Sequence, residues 1–475
     1  MLTIIKRFIL PLLLLVSFSA IAAVPEGLNS ILQKFKSSLN GLSIYVSRVD
    51  QRTPWITYKS DVSRNPASIM KLLTSAAALD TLGPAYTWKT EFYVNQLPKK
   101  GYLNGPIYIK GYGDPYITVE RLWAMIQELR HAGIKHIHGG IVLDSQYFKR
   151  RRNSTQSFDG QGSRSYNVQP YALLVNFQSL RLRFTPDTEN QSVEVQSYPK
   201  VSTIKIDNKI RLTNKRCGIW KHKIKIRSVV RANQETLILS GRYSKKCKTK
   251  TMYRATQNPA NYTAGLFMSL WRQQGGTIKN SIKSRRLPRN LKLIHSAPSL
   301  TLADIIRRIN KYSNNIMTRH LLLTLIAELN AVPASETKGE QIIRRWLKKQ
   351  KISTNGFRLE NGAGLSRKTR VSAAQLGQAL KVAYQKAYMP ELMSSLPISG
   401  VDGTMARRRL TKTSHGQMHL KTGLLANVRS VAGYYLNPKG HRYVVVIMHN
   451  HSMAHSRRGK RLHNYILDWI FLNSH

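Results

Sequence analysis

The chain has 475 residues, enough for two or three domains around a large buried core, and its 42% apolar and 21% charged residues are ordinary for a globular protein. Lys and Arg number 75 against 23 Asp and Glu, a formal net charge of +52. Its two cysteines alone cannot make a zinc site. No segment beyond the N-terminus is a run of ~18 apolar residues, so no later spanning helix is expected.

The N-terminus reads as a secretory signal over residues 1–22. Lys6 and Arg7 form the positive start, Phe8 to Val16 the apolar run, and Ala20-Ile21-Ala22 the small-residue cleavage site. Export changes the meaning of the charge. In a cytosolic chain +52 would first suggest nucleic acid. Outside the cytoplasm the available polyanions are wall carboxylates, anionic lipid head groups and surface polymers, so no nucleic-acid partner is expected. Basic residues spread evenly over the surface are the plainer explanation of the same number.

A helix-like stretch, Leu28 to Leu39, follows, then an alternating strand, Leu42 to Val49. Asn65-Pro66-Ala67-Ser68 precedes an Ala- and Leu-rich helix, Ile69 to Leu82. Residues 86–289 read as short strands separated by turns, among them Ile107-Tyr108-Ile109, Ile141-Val142-Leu143 and Val201 to Leu212. Lys200 to Lys250 is basic and alternating, consistent with a small β domain of its own. Helical patterns return over Leu302 to Leu329 and Gln341 to Leu347. The chain closes with three strands, Gly416 to Lys421, Ser430 to Leu436 and Arg442 to Met448, and an apolar helix, Leu462 to Phe471. Three antiparallel strands with a returning helix imply an α+β layered domain.

Three short motifs occur in the order S-x-x-K, S-x-N, K-T-G. S-x-x-K recurs at Ser68, Ser197, Ser202 and Ser335. On a helix, residues three apart share a face, so a lysine amine can reach the serine hydroxyl. Ser197 and Ser202 lie in strand-like alternation, where such residues point apart, and Ser335 reads as a helix N-cap. Only Ser68 starts an apolar helix, whose N-terminus also supplies a positive field. S-x-N recurs at Ser38, Ser165, Ser313 and Ser353, and only Ser313-Asn314-Asn315 lies between two helical segments upstream of the K-T-G. Lys421-Thr422-Gly423 ends a strand and occurs once. Alone, each motif reads equally as a polar turn or strand end; the ordered set, each in its expected element, points to nucleophilic catalysis.

A serine hydroxyl is a weak nucleophile until a base stands within hydrogen-bond reach. Lys71 can be that base if burial and a second cation, Lys421, depress its pKa. Ser313 can relay a proton to a leaving amine, and Asn315 can hold Lys71 and a substrate amide. Lys421 and Thr422 suit a terminal carboxylate. The backbone N–H groups of Ser68 and Leu424 would form the oxyanion hole.

These motifs are those of penicillin-binding proteins and serine β-lactamases, and further segments resemble the penicillin-binding protein 4, or DacB-type, family. They are Gly111-Tyr112-Gly113-Asp114-Pro115, Gly362-Ala363-Gly364-Leu365-Ser366-Arg367, Ser399-Gly400-Val401-Asp402-Gly403-Thr404 and Val431-Ala432-Gly433-Tyr434. The resemblance covers the mature chain. It implies an α+β, transpeptidase-like catalytic domain, 24–85 with 290–475, interrupted by a large, mainly β insertion, 86–289, with 176–250 nested inside it. It implies a periplasmic D-Ala-D-Ala carboxypeptidase or endopeptidase acting through an acyl-enzyme on Ser68, with peptidoglycan peptides and β-lactams as partners and no cofactor. Peripheral contact with anionic membrane or wall polymers is the use left for the charge. The resemblance also implies that Asp144 and Arg367 contact a diaminopimelate side chain, where a turn Asp and a surface Arg are the structural alternative. Two positions depart from the family pattern: Leu424 stands where a hydroxyl residue is usual, and Asn361 where Asp is usual.

Cys217 and Cys247 are expected to pair as a disulfide in an exported protein. His449, His451 and His455 are close in sequence, but no acidic residue or Cys lies near them, so no metal is expected. Two competing readings are a serine β-lactamase, which needs a deacylating base that is not evident here, and an inactive wall-binding scaffold.

Overall fold

The computed structural model describes residues 24–35, 39, 41–149, 164–329, 332–408 and 410–475; the expected signal, 1–22, lies outside the described residues. The two ends of the chain meet in one antiparallel five-stranded sheet. Its order is Met418–Leu425, Val428–Leu436, Arg442–Asn450, Leu42–Arg48 and Ile56–Tyr58. The N-terminal strand thus pairs with the last strand of the chain, Leu42 opposite His449. Strand Arg442–Asn450 is central, and its run Tyr443 to His449 is buried throughout, as expected of an unbroken apolar segment without alternation.

Both faces of this sheet are covered. Helices Glu26–Lys34 and Arg457–Asn473 place Leu28, Leu32, Leu462 and Ile466 against Ile44, Val445 and Ile447 on one side. On the other, Met70–Leu82, Asn315–Leu329 and Ala373–Tyr384 pack around Val444, Val446 and Met448. The first two of these helices are apolar nearly all round, and such helices belong in a core rather than on a surface. The long apolar pattern from Leu302 is broken at Ser313, which ends helix Leu302–Tyr312 in a left-handed conformation. The first helix stops at Lys34, short of the Leu39 that its pattern suggested.

The intervening chain builds a mixed five-stranded sheet in the order Ile282–Ser284, Ile141–Asp144, Ile107–Gly111, Thr87–Val94 and Lys292–Thr301. Strand Lys292–Thr301 pairs with Thr87–Val94, so this sheet continues past residue 289, where the sequence reading ended the insertion. Helices Val119–His131 and Pro259–Gln273 share its core, an addition to the mainly β content expected. Two three-stranded sheets stand between Ser179 and Ala255. The Cys217 and Cys247 sulfurs are bonded there at 2.07 Å. Ser202 sits in a turn rather than in strand alternation. Ser335 precedes a short 3-10 turn without capping it; its hydroxyl meets Thr337 Oγ1 instead.

Candidate active site

Ser68 lies in the 3-10 turn Ala67–Ile69 that opens the buried helix Met70–Leu82. One turn on, Lys71 Nζ stands 3.0 Å from Ser68 Oγ, 2.7 Å from Asn315 Oδ1 and 2.6 Å from the Ala363 carbonyl oxygen. A neutral amine has two N–H donors and one lone pair. The two carbonyl oxygens take the donors, and the lone pair is left for the Ser68 hydroxyl. Burial, and secondarily the charge of Lys421, push the Lys71 pKa well below that of an ordinary lysine.

Lys421 comes from the strand Met418–Leu425 and is as completely buried as Lys71. Its Nζ donates to Ser313 Oγ at 2.8 Å and to the Thr422 carbonyl at 2.9 Å. Burial lowers its pKa to about 7. The left-handed Ser313, at φ 58°, turns its hydroxyl out between two helices toward this amine. The turn is held by Asn314, whose side chain accepts the Met317 N–H and whose carbonyl accepts the Thr318 hydroxyl. Ser68, Lys71, Ser313, Asn315 and Lys421, drawn from three separated stretches of chain, therefore form one connected cluster.

The backbone around Ser68 is clamped. Ala67 has φ 49°, which is costly for a residue with a Cβ and persists only where surroundings enforce it. The enforcing bonds are Asn65 Oδ1 accepting from Ala67 N, Asn65 Nδ2 donating to Ser366 O, and Ser430 Oγ donating to Pro66 O. Asn450 both accepts from Asn65 N and donates to Asn65 O. Two glycines close on the same spot. A Cβ on Gly364, at φ +73°, would stand 1.8 Å from Ala67 O; one on Gly423 would stand 2.1 Å from Ser430 Oγ and 3.0 Å from Ser68 N. The strand bearing Thr422 and Leu424 thus passes directly against the Ser68 N–H, the arrangement an oxyanion hole requires.

Ser68, Ser313, Thr422, Gly423 and Leu424 line one cleft of about 490 Å³. Thr404, Arg407, Arg408, Arg429 and Lys460 line it too, and the motif reading had not placed them in the site. Thr404 stands in the Gly-Val-Asp-Gly-Thr segment, which was a signal; its hydroxyl accepts from Thr422 Oγ1 at 2.9 Å. Asn65, Ser430 and Asn450 were missed because their work is done through backbone contacts across more than 360 residues of chain.

Leu424 is 57% exposed and brings no hydroxyl to the cleft. Asn361 keeps the Gly-rich loop closed, accepting from Ala363 N and donating from Nδ2 to Leu365 O, a bond that a carboxylate could not make. Arg367 donates to Ala426 O, just past the K-T-G strand. Asp144 is buried at the end of its strand in the inserted sheet. Its two oxygens accept the N–H groups of Gln146 and Leu287, and it does not line the Ser68 cleft. His451 and His455 each accept a backbone N–H, from Met453 and Asn427. No helix among the described residues is long and apolar enough to cross a membrane.

The family model of D-Ala-D-Ala carboxypeptidase 3 (S13) matches residues 24–467. A D-alanyl-D-alanine carboxypeptidase from Actinomadura sp. (strain R39) is 26% identical over 443 residues, 90% of this chain and 81% of that protein. D-alanyl-D-alanine carboxypeptidase DacB of Haemophilus influenzae is 23% identical over 436 residues, 91% of this chain and 90% of that one. Among solved structures, penicillin binding protein 4 (dacB) from Haemophilus influenzae matches with a TM-score of 0.81 at 22% identity, over 94% of this chain and 100% of that one.

Proposed function

The chain belongs to the D-Ala-D-Ala carboxypeptidase 3 (S13) family, and from that membership and the geometry of its cleft we propose a serine D-Ala-D-Ala carboxypeptidase that also opens D-Ala crosslinks in peptidoglycan. The observation that carries this reading is Lys71. It is a fully buried amine within 3.0 Å of a helix-start serine, with its N–H groups spoken for by Asn315 and Ala363.

In the proposed reaction Ser68 Oγ attacks the carbonyl carbon of the penultimate D-Ala while its proton passes to Lys71 Nζ. The oxyanion rests between the N–H groups of Ser68 and Leu424. When the C–N bond breaks, the leaving amine takes a proton delivered through Ser313, which Lys421 holds. Water then attacks the ester, Lys71 Nζ takes its proton and hands it to Ser68 Oγ as the C–O bond breaks, and the shortened peptide departs. Penicillin acylates Ser68 in the same way but turns over slowly, because its opened-ring amine stays tethered to the acyl group in the path of water and, among the described residues, no carboxylate lines the cleft as a second base. Arg407, Arg429 and Lys460 make the rim cationic, which suits a substrate ending in a free carboxylate. Export through residues 1–22 to the periplasm belongs to the same proposal and is supported by the apolar run and small-residue site there.

The test is labelling with a fluorescent penicillin followed by digestion of purified wall peptides. Wild-type protein should be labelled and should release D-Ala; Ser68→Ala should do neither while melting at the same temperature. Label mapped by mass spectrometry to any other serine would overturn the assignment.

A further inference from the structure

A second groove, of about 410 Å³, opens at the same turn: Ser313, Asn314 and Asn315 line it, and Ser313 lines the Ser68 cleft as well. Ser179, Arg181, Tyr198 and Tyr253 of its lining come from the antiparallel sheet of Lys250–Ala255, Ser179–Asp187 and Ser192–Tyr198. On that sheet Tyr253, Arg181 and Tyr198 are direct cross-strand partners on three adjacent strands. Side chains alternate along a strand, so the three share a face. Their neighbours Met252, Leu180 and Leu182 are buried on the other face, whereas Tyr253 is 61% and Tyr198 51% exposed. The Arg181 guanidinium lies 5.2 Å from the centre of the Tyr198 ring, in the cation–π range, and so ties two members of the row together.

Three further rings, Tyr312, Phe177 and Tyr166, complete the groove. Tyr312, 74% exposed, is contributed by the catalytic turn itself. Phe177 sits in a run of three non-glycine residues, Asn176, Phe177 and Gln178, all at φ between 46° and 52°. Such conformations are costly and recur at ligand sites, where the surroundings hold them in place. Tyr166 lines the groove too, while the other exposed tyrosines among the described residues, Tyr102 and Tyr465, do not. Exposed aromatic faces gathered in one place mark a binding surface.

The non-aromatic lining identifies the ligand. It is polar apart from Ile316, which is itself buried, so an aliphatic side chain finds no matching pocket. Flat rings flanked by guanidinium and carboxamide groups fit a pyranose: its C–H face lies on the rings and its hydroxyl and N-acetyl groups meet the polar rim. We propose that this groove binds a neutral N-acetylated saccharide, the glycan that carries the peptide being cut. The inference rests on the proposed peptidase reading and adds a second substrate element to it.

The test compares kcat/KM on a disaccharide-bearing muropeptide and on the same stem peptide stripped of its sugar. Wild-type enzyme should prefer the sugar-bearing form. Tyr253→Ala and Tyr198→Ala should each cut that preference about 3- to 10-fold, the worth of one aromatic stacking contact, leaving the stripped peptide and penicillin acylation unchanged. Tyr253→Phe should retain the preference. A wild-type enzyme indifferent to the sugar, or variants that lose equally on both substrates, would overturn the inference while leaving the peptidase intact. No cleavage of either substrate and no penicillin label would instead sink the peptidase reading.

Discussion

Lys71 and Lys421 lie close enough for the charge on one to lower the pKa of the other, and neither exposes any surface. Burial is the larger cause for both, because it penalises the charged form of an amine. The two therefore titrate as a pair, both well below the ordinary lysine range, with Lys421 near about 7.

Acylation by a β-lactam should accordingly follow a bell in pH. Activity rises as Lys71 becomes neutral and able to take the Ser68 proton, and falls as Lys421 gives up the charge that orders Ser313. Lys421→Met should move the rising limb to higher pH, because the repelling cation is gone. Stopped-flow acylation rates across pH would show this; a flat profile would refute the lysine-base assignment.

The same burial carries a stability signature. Lys421 is neutral above about 7 when folded but keeps its proton up to the ordinary lysine value when unfolded. Between those two pH values the unfolded chain binds the extra proton, so stability rises with pH, by up to about 1.4 kcal/mol per pH unit for one group. Below the folded value both states are protonated and the full burial penalty applies. Lys421→Met should be more stable than wild type at neutral pH and should lack this part of the slope. Urea unfolding at several pH values measures both; equal slopes would contradict a depressed Lys421.

Gly364→Ala should harm catalysis more than its one methyl suggests. The new Cβ would meet Ala67 O at 1.8 Å from a backbone already at φ +73°. The relief is a shift of the Ser68 backbone, and a displacement near 1 Å costs about 100-fold in rate. Second-order acylation constants test this; wild-type kinetics would show that the loop yields instead.

Leu424→Thr should improve the enzyme. The side chain is 57% exposed in the cleft, so a hydroxyl there replaces an apolar group at little folding cost. One added hydrogen bond to a substrate carboxylate is worth about 0.5–1.5 kcal/mol, or roughly 2- to 12-fold in kcat/KM. The gain should vanish on a peptide whose C-terminus is amidated; the same gain on both peptides would point to another cause.

Asp144→Asn separates substrate choice from fold. If Asp144 meets a diaminopimelate ammonium, its loss should slow those peptides by about 10- to 150-fold, the worth of a charge-assisted bond. Penicillin acylation would be spared. The Gln146 and Leu287 N–H groups that Asp144 now accepts give the structural alternative. Equal loss on both substrates, with a lowered melting point, would assign it to the fold.

The amino-acid order alone determined the local elements and pointed to the side chains proposed for catalysis. The Ala- and Leu-rich helix after Ser68 and the single K-T-G at a strand end are written in residues a few positions apart, where helix and strand periodicity operate. The position of Ser313 between two helical segments was legible for the same reason, whereas its left-handed conformation was not. Only the tertiary structure decided what surrounds them. That Asn450 and Ser430 hold the strained Ala67 turn, and that Tyr253, Arg181 and Tyr198 fall in one row, depends on register between strands far apart in the chain. Register is set by packing of whole faces, and no local window contains that information. The buried state of Lys71 and Lys421 is decided in the same way, because desolvation depends on everything that packs around an amine, whereas its sequence neighbours set only which way it points.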